Sequence, residues 1–340
     1  MQYSAALEGR DHALERLRRD VRAGNPNAQA MLAERLLTQP PYDLKEGVTH
    51  ALAAAADGNG DAAHLVALLS AWGLGLDQDW NAALAHLLVA AQAGHGLDRR
   101  VLAALAGEWH LARNPKEGEA LSAGDWTQLK ARIDLNSWLA TPAAEIVSDS
   151  PRIAVVRRFL SPEVCNWVIE RARPNLVRAK IYNPADGARD DRVRTNTEHH
   201  FSTFGSDLIL MFAQHRIAKL TALPIEGMEA CTALHYDVGE EFLPHHDFFD
   251  VSTRENASIV AREGQRVLTF LIYLNEGFAG GETDFPLLKR RYKGHQGDAL
   301  FFWNIRPDFT PDPRTLHAGL APARGEKWLL SQWIRGRPPG

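Results

Sequence analysis

Cysteine is nearly absent: Cys165 and Cys231 are the only two in 340 residues, and neither stands in a Cys-x-x-Cys pair or beside a histidine cluster. That excludes a disulfide framework and a thiolate zinc site, and it fits a reducing compartment. Long apolar runs are missing too. No stretch approaches the roughly 18 apolar residues of a membrane span, and the charged, helix-like residues 1–20 contain no apolar core of a secretory leader. A strong net charge is also lacking. Thirty-eight basic against 42 acidic residues give −4, and no basic stripe with interleaved aromatics occurs, so neither nucleic acid nor an anionic membrane is an expected partner. The expectation is a cytoplasmic chain of ordinary globular composition, long enough for two domains.

What is there begins with a repeat. Gly24-Asn25-Pro26-Asn27-Ala28 lines up with Gly58-Asn59-Gly60-Asp61-Ala62, and Gly94-His95-Gly96 lines up again, at offsets of 34 and 36 residues. Such periods mark helix pairs stacked in a solenoid. Ala62, Ala67, Ala90 and Ala91 let neighbouring helices approach, and the glycines end one helix and turn the chain into the next. The middle copy, Gly73-Leu74-Gly75-Leu76-Asp77-Gln78-Asp79-Trp80 with Ala82, Ala83, Ala90, Ala91 and Gly94, resembles a Sel-one-like repeat, a relative of the tetratricopeptide repeat. The resemblance implies a concave surface for a peptide or protein; a small helical domain that only packs fits the residues equally well. Residues 107–144 add a helix or two with Trp109, Trp126 and Trp138 as packing aromatics, broken at Asn114-Pro115 and Thr141-Pro142. The boundary falls within 141–151, giving a helical repeat domain over 1–145 and a second domain over 146–340.

The second domain reads as β. Ile153-Ala154-Val155-Val156 is strand-like; Ser161 and Pro162 open a helix running towards Ala172. Strand-like runs follow at 228–236, 267–274, 298–304 and 328–334, separated by Gly- and Pro-rich turns with no crossover helix long enough for a parallel sheet. That pattern suggests an antiparallel sandwich or jelly roll with a pocket between its sheets. In the last run Lys327, Leu329, Ser331 and Trp333 share one face. A lysine and a serine on that face make sense if it lines a pocket for an anion.

The chemistry concentrates in Pro244-His245-His246-Asp247, Thr315-Leu316-His317 and Gly325-Glu326-Lys327-Trp328. In an extended strand His245 and Asp247 point the same way. A second strand carrying His317 beside them completes two imidazoles and one carboxylate on one side of a metal, the 2-His-1-carboxylate arrangement of non-haem Fe(II) oxygenases. His246 alternates to the other face and is expected to be structural, and His235 has no assigned role.

Residues 155–335 resemble the prolyl 4-hydroxylase family of Fe(II)/2-oxoglutarate dioxygenases. The resemblance rests on Arg194-Thr195, Tyr236-x-x-Gly239, Pro244-His245-His246-Asp247, Arg266, Tyr273-Leu274-Asn275, Gly280-Gly281-Glu282-Thr283-x-Phe285-Pro286, Gly297-Asp298-Ala299-Leu300-Phe301-Phe302, His317-Ala318-Gly319 and Lys327-Trp328 with Trp333, in order. It implies an α+β multidomain protein: an N-terminal α-helical repeat (solenoid) domain followed by a double-stranded β-helix (jelly-roll) catalytic domain. It implies His245, Asp247 and His317 as iron ligands and Lys327 as the partner of the distal carboxylate of 2-oxoglutarate. Tyr236, Tyr273 and Ser331 fall where the family places hydroxyls near that co-substrate, Trp333 on the pocket wall, and Arg194 in a segment approaching the substrate. Implied cofactors are Fe(II), 2-oxoglutarate and O2, with L-ascorbate as an auxiliary.

The implied reaction hydroxylates an unactivated C–H, with a prolyl residue of a peptide or protein as the expected substrate and succinate and CO2 as co-products. The repeats are expected to hold that peptide, and segments 181–200 and 250–264 to cover it as loops. Three alternatives compete: the same chemistry on a free amino acid or small metabolite, a non-catalytic repeat scaffold, and a zinc hydrolase. The intact triad and lysine oppose the scaffold. The absence of a glutamate base in a metal-binding motif opposes the hydrolase.

Overall fold

Short polar residues start the helices of the N-terminal third. Asp43 accepts from Glu46 N, Asn59 from Ala62 N, Asp79 from Asn81 N and Ala82 N, and His95 from Asp98 N, satisfying amides that have no partner within the helix. The helices so begun are Leu44–Ala56, Gly60–Trp72, Trp80–Gln92 and Gly96–Leu105, preceded by Gln2–Arg22 and Ala28–Thr38. Gly24, Gly58 and Gly94 stand between helices at φ of +78°, +81° and +96°, a left-handed backbone that a β-carbon makes costly. Ala51, Ala55, Ala62, Ala63 and Ala90 pack with Leu65, Val66 and Leu69 in one core. Larger side chains at these alanines would force the helices apart.

The computed structural model describes residues 2–25, 27–183, 187–189 and 193–337. It divides into a helical unit, Met1–Trp138 with Thr203–Phe212, and a sheet unit, Leu139–Ser202 with Ala213–Gly340. No described helix is long and apolar enough to cross a membrane.

Every strand pair in the sheet unit's ladders is antiparallel. The large sheet runs, edge to edge, Ala144–Asp149, Arg152–Val156, Ala299–Trp303, Gln265–Tyr273, Lys327–Gly336, Cys231–Tyr236, Thr197–Phe201 and Val177–Arg178. A smaller one runs Arg290–Tyr292, Thr283–Phe285, His317–Gly319 and Phe242–His245. The stretch read as a boundary is itself the first strand of the large sheet, hydrogen-bonded to Arg152–Val156. Leu234, Tyr236, Leu271, Tyr273, Leu300, Phe302 and Leu329 alternate along the large sheet and meet Phe285 of the small one, as a period of two requires. Each buried aliphatic or phenylalanine side chain there contributes about 1.5–3 kcal/mol relative to exposure.

The opposite face of the large sheet is also covered. Phe159 packs against Phe270 at 5.0 Å. Helix Pro162–Ala172 starts as the sequence indicates, with Ser161 accepting from Val164 N. Gln214, on helix Leu208–Thr221, donates to Gln332 at 2.9 Å; the strand-based reading omitted that helix.

Segment 250–264 differs from expectation. It holds the helix Arg254–Glu263, capped by Thr253 on Asn256 N and ended by Gly264 at φ +87°. Its Glu, Ala and Arg residues are good helix formers, and none of them is buried, so charge without an apolar stripe hid it. Of the other expected covering loop, 184–186 and 190–192 lie outside the described residues, and its end forms the strand Thr197–Phe201.

Candidate active site

The small sheet sets His317 directly opposite His245 across two antiparallel strands. Asp247 follows just past the end of the Phe242–His245 strand. His245 Nε2 lies 3.6 Å from Asp247 Oδ1, and His317 Nε2 lies 3.5 Å from Oδ2. One donor atom from each residue falls within 4.8 Å of the others. Both imidazoles donate Nδ1–H to backbone carbonyls, His245 to Leu243 at 2.8 Å and His317 to Thr315 at 2.9 Å. Those bonds select the tautomer whose bare Nε2 faces the carboxylate. Phe242 stacks on His245 with centroids 3.5 Å apart, and Phe302 meets His317 edge-on at 4.8 Å.

Burial, reinforced by the neighbouring His317, pushes His245 well below the ordinary imidazole range. Burial works to raise Asp247, but the surrounding His317, His245 and Arg266 and the hydrogen bond from Thr269 outweigh it and keep the carboxyl ionised. A neutral imidazole and an ionised carboxylate are the forms that bind a metal. Thr269 Oγ1 donates to Asp247 Oδ2 at 2.7 Å and accepts from Asn304 Nδ2 at 2.9 Å, so the carboxylate is oriented from behind.

The triad itself lines a narrow pocket of about 30 Å3. Lys327, Leu329, Ser331 and Trp333 line it from one face of their strand, with Tyr236 and Thr283 on other walls. Lys327 is 0% exposed. Its Nζ sits 4.7 Å over the Tyr236 ring with no hydrogen-bond partner among the described residues, and burial pushes the amine down to about 7. Ser331 Oγ and Trp333 Nε1 are likewise buried and unpartnered. Unsatisfied buried donors are costly. Three on one wall, with a metal-type donor set at the other, fit a keto acid with a second carboxylate at its far end. The residues present therefore fit both Fe(II) and 2-oxoglutarate.

Backbone clamps hold the lysine. Asn275 Oδ1 accepts from Trp328 N at 2.9 Å while its Nδ2 donates to Glu326 O at 2.8 Å, gripping the chain on both sides of Lys327. His235 bridges Thr197 at 3.0 Å and Glu326 at 3.0 Å. His246 donates to Pro313 O at 2.9 Å, away from the triad's ligand atoms.

The two tyrosines differ. Tyr236 lines the pocket, and burial raises its hydroxyl to about 12. Tyr273 is not among the lining residues. Its hydroxyl bonds Thr283 Oγ1 at 3.0 Å and donates to Tyr292 O at 2.9 Å, and Thr283 occupies the wall instead. Thr283 stands inside the Gly280-Gly281-Glu282-Thr283 motif, which was its only sequence signal. Thr269 and Asn304 had none beyond their place in strand-like runs.

Arg194 is only 6% exposed. It pairs with Glu198, donates to Asn196 Oδ1 at 3.1 Å, and stacks 4.8 Å from the Phe242 ring centroid. It lines a groove of about 1620 Å3 that passes the triad, with Arg178 and Lys180 nearby and helix residues Asn256, Ile259 and Arg262 also on its walls. Small-molecule sites run roughly 300–1,000 Å3; this groove is wider. Trp333 borders both pocket and groove.

Comparison with known proteins agrees with this chemistry. Residues 231–335 match the 2OG-Fe(II) oxygenase superfamily. The Arabidopsis thaliana protein described as probable prolyl 4-hydroxylase 10 is 35% identical over 213 residues, covering 56% of this chain and 71% of that one. Among solved structures, the viral collagen prolyl hydroxylase of Paramecium Bursaria Chlorella virus-1, in its 2OG complex, aligns at 26% identity and TM-score 0.44 over 56% of this chain and 99% of its own. A Sel1 repeat protein of Oxalobacter formigenes aligns at 21% identity and TM-score 0.26 over 34% of this chain and 88% of its own. The chain belongs to the prolyl 4-hydroxylase family within the 2OG-Fe(II) oxygenase superfamily, oxidoreductases that use Fe(II), 2-oxoglutarate and O2.

Proposed function

We propose that the chain hydroxylates prolyl residues of a peptide or protein, holding Fe(II) through His245, Asp247 and His317 and 2-oxoglutarate through Lys327. The observation that carries this reading is one pocket combining a 2-His-1-carboxylate donor set with a buried, unpartnered lysine. A zinc hydrolase has use for the first and none for the second. The prolyl substrate rests on what the curated relatives are described as, and a polypeptide suits the width of the groove.

Fe(II), 2-oxoglutarate and O2 supply the oxidising chemistry: an unactivated C–H becomes C–OH while the keto acid becomes succinate and CO2. The chain supplies position and environment. Lys327 Nζ and Ser331 Oγ–H, both buried and unpartnered, would hold the distal carboxylate where little water competes. Tyr236, kept protonated by burial, offers a further hydroxyl. Leu234, Leu271 and Leu329 keep that end of the pocket apolar. Thr269 and the carbonyls of Leu243 and Thr315 hold the ligating side chains in one orientation. Trp333, which borders both pocket and groove, would stand between co-substrate and substrate, and Arg194 props the Phe242 wall beside the groove.

The same reading makes the two sheets a double-stranded β-helix within a catalytic domain over 146–340, and the helices a Sel-one-like solenoid over 1–145 that presents the substrate. It places the protein in the cytoplasm, with L-ascorbate as auxiliary reductant. The test incubates protein, Fe(II) and 2-oxoglutarate with proline-containing peptides. It follows succinate release together with the gain of one oxygen atom in the peptide. Turnover with free proline or another metabolite, and none with peptides, would replace the peptide reading with the metabolite one.

A further inference from the structure

A second constellation of ligand-type side chains lies wholly within the helical unit. His64, on helix Gly60–Trp72, points Nδ1 at the Asp98 carboxylate, 3.0 Å from each oxygen. His95, at the start of helix Gly96–Leu105, brings its own Nδ1 to 2.9 Å from Asp98 Oδ2. The rings stack, centroids 4.7 Å apart and 22° between planes. Asp98 is 2% exposed, and an acidic side chain that deep demands a partner. Two imidazoles aiming Nδ1 at one carboxylate need either protons or a cation between them.

The protein's own repeat argues that the helices do not require this cluster. The preceding unit has Asn59 and Ala62 where this one has His95 and Asp98, and the unit before that has Asn25 and Ala28. Asn59 caps its helix by accepting from Ala62 N, as His95 does from Asp98 N, so the cap needs no imidazole. A core position filled by alanine in two units carries a carboxylate in the third, and His64 of the neighbouring helix turns towards it.

We propose that His64, His95 and Asp98 form a second metal centre, separate from the triad of the sheet unit, that takes a borderline divalent cation of the zinc type. Two imidazole nitrogens and one carboxylate oxygen suit such an ion, with a fourth position left to water. The helix N-terminus opposes a cation, and Asp98 in its first turn offsets that. Burial works to raise the Asp98 carboxyl, and the neighbouring His64 and His95 imidazoles hold it below its usual range, so the oxygen is ionised before any metal arrives. A bound ion ties helix Gly60–Trp72 to helix Gly96–Leu105.

The test uses Co2+ as a spectroscopic stand-in for zinc, in the full chain with the sheet-unit triad removed by Asp247→Ala and His317→Ala. One equivalent with the intense visible bands of low-coordinate Co2+ is expected. His95→Asn and Asp98→Ala, which install the residues of the preceding repeat and so preserve cap and core, should weaken it by at least the about 10- to 100-fold seen on losing an outer-shell partner. In the otherwise unaltered protein the same two substitutions should lower bound Co2+ from two equivalents to one. Absence of Co2+ binding in the triad-free protein, or binding indifferent to both substitutions, would overturn the proposal and leave a proton-shared hydrogen-bond cluster. Failure at the sheet unit alone would leave the second centre unaffected.

Discussion

Lys327 Nζ lies 4.7 Å above the ring of Tyr236 and has no hydrogen-bond partner among the described residues. A buried amine held this way is a liability to the fold and an asset only to a ligand. Lys327→Met should therefore raise thermal stability, by about 1–3 kcal/mol for removing an unsatisfied buried polar group. It should also weaken 2-oxoglutarate by roughly 30-fold to several thousand-fold in Kd. Melting curves and 2-oxoglutarate titrations on the same two proteins check both signs; a loss of stability together with unchanged affinity would contradict the assignment.

Proton linkage gives a second handle on the same residue. Burial lowers the amine from 10.5 to about 7. Between those values the unfolded chain binds the extra proton, so this residue's destabilising contribution shrinks as pH rises from about 7 towards 10.5 and is complete below 7. A dianion needs the charged amine. Above about pH 7, 2-oxoglutarate binding should thus take up one proton and weaken up to tenfold per pH unit. Calorimetry in two buffers of different ionisation enthalpy should detect that uptake, and Lys327→Met should abolish it.

The triad's support can be tested without touching a ligand. Thr269 links Asp247 to Asn304 through bonds of 2.7 and 2.9 Å. Thr269→Val keeps the shape, frees the carboxylate to rotate and leaves the Asn304 amide without its acceptor. Metal affinity should fall about 10- to 100-fold, with Thr269→Ser restoring most of it. Equal Fe(II) affinity in wild type and Thr269→Val would remove this threonine from the account.

Gly281 stands against the lysine stem at φ +70°, where an added β-carbon would lie 3.0 Å from the Phe278 ring and 3.3 Å from Lys327 Cδ. Gly281→Ala should cost about 1–2 kcal/mol from the left-handed backbone and, by crowding Lys327, raise the KM for 2-oxoglutarate more than it lowers kcat. A variant equal to wild type in both would show that this close approach does not position the lysine.

Some of this was visible in the sequence because it depends on short-range rules. Alternation alone places Lys327, Ser331 and Trp333 on one face, and all three line the pocket. His245, Asp247 and His317 meet because strand pairing brings position 317 opposite 245, and their residue types advertise the meeting. Thr269, Asn304 and Thr283 are ordinary strand residues until the third dimension sets them against a carboxylate or a tyrosine. The direction of the Tyr273 hydroxyl depends on a carbonyl nineteen residues away, at Tyr292, which no local pattern encodes. Helix Arg254–Glu263 lacks an apolar stripe, and helical stacking over 34 residues was needed to join His64 to Asp98.

The central claim is that one pocket holds iron at His245, Asp247 and His317 and anchors 2-oxoglutarate at Lys327. Anaerobic titration of the metal-free protein with Fe(II) and then 2-oxoglutarate, followed by the visible charge-transfer band of the chelate, tests it most directly. The account predicts a band in the wild type that disappears in His317→Ala and needs far more 2-oxoglutarate in Lys327→Ala. A folded, iron-loaded wild type that develops no band would contradict it.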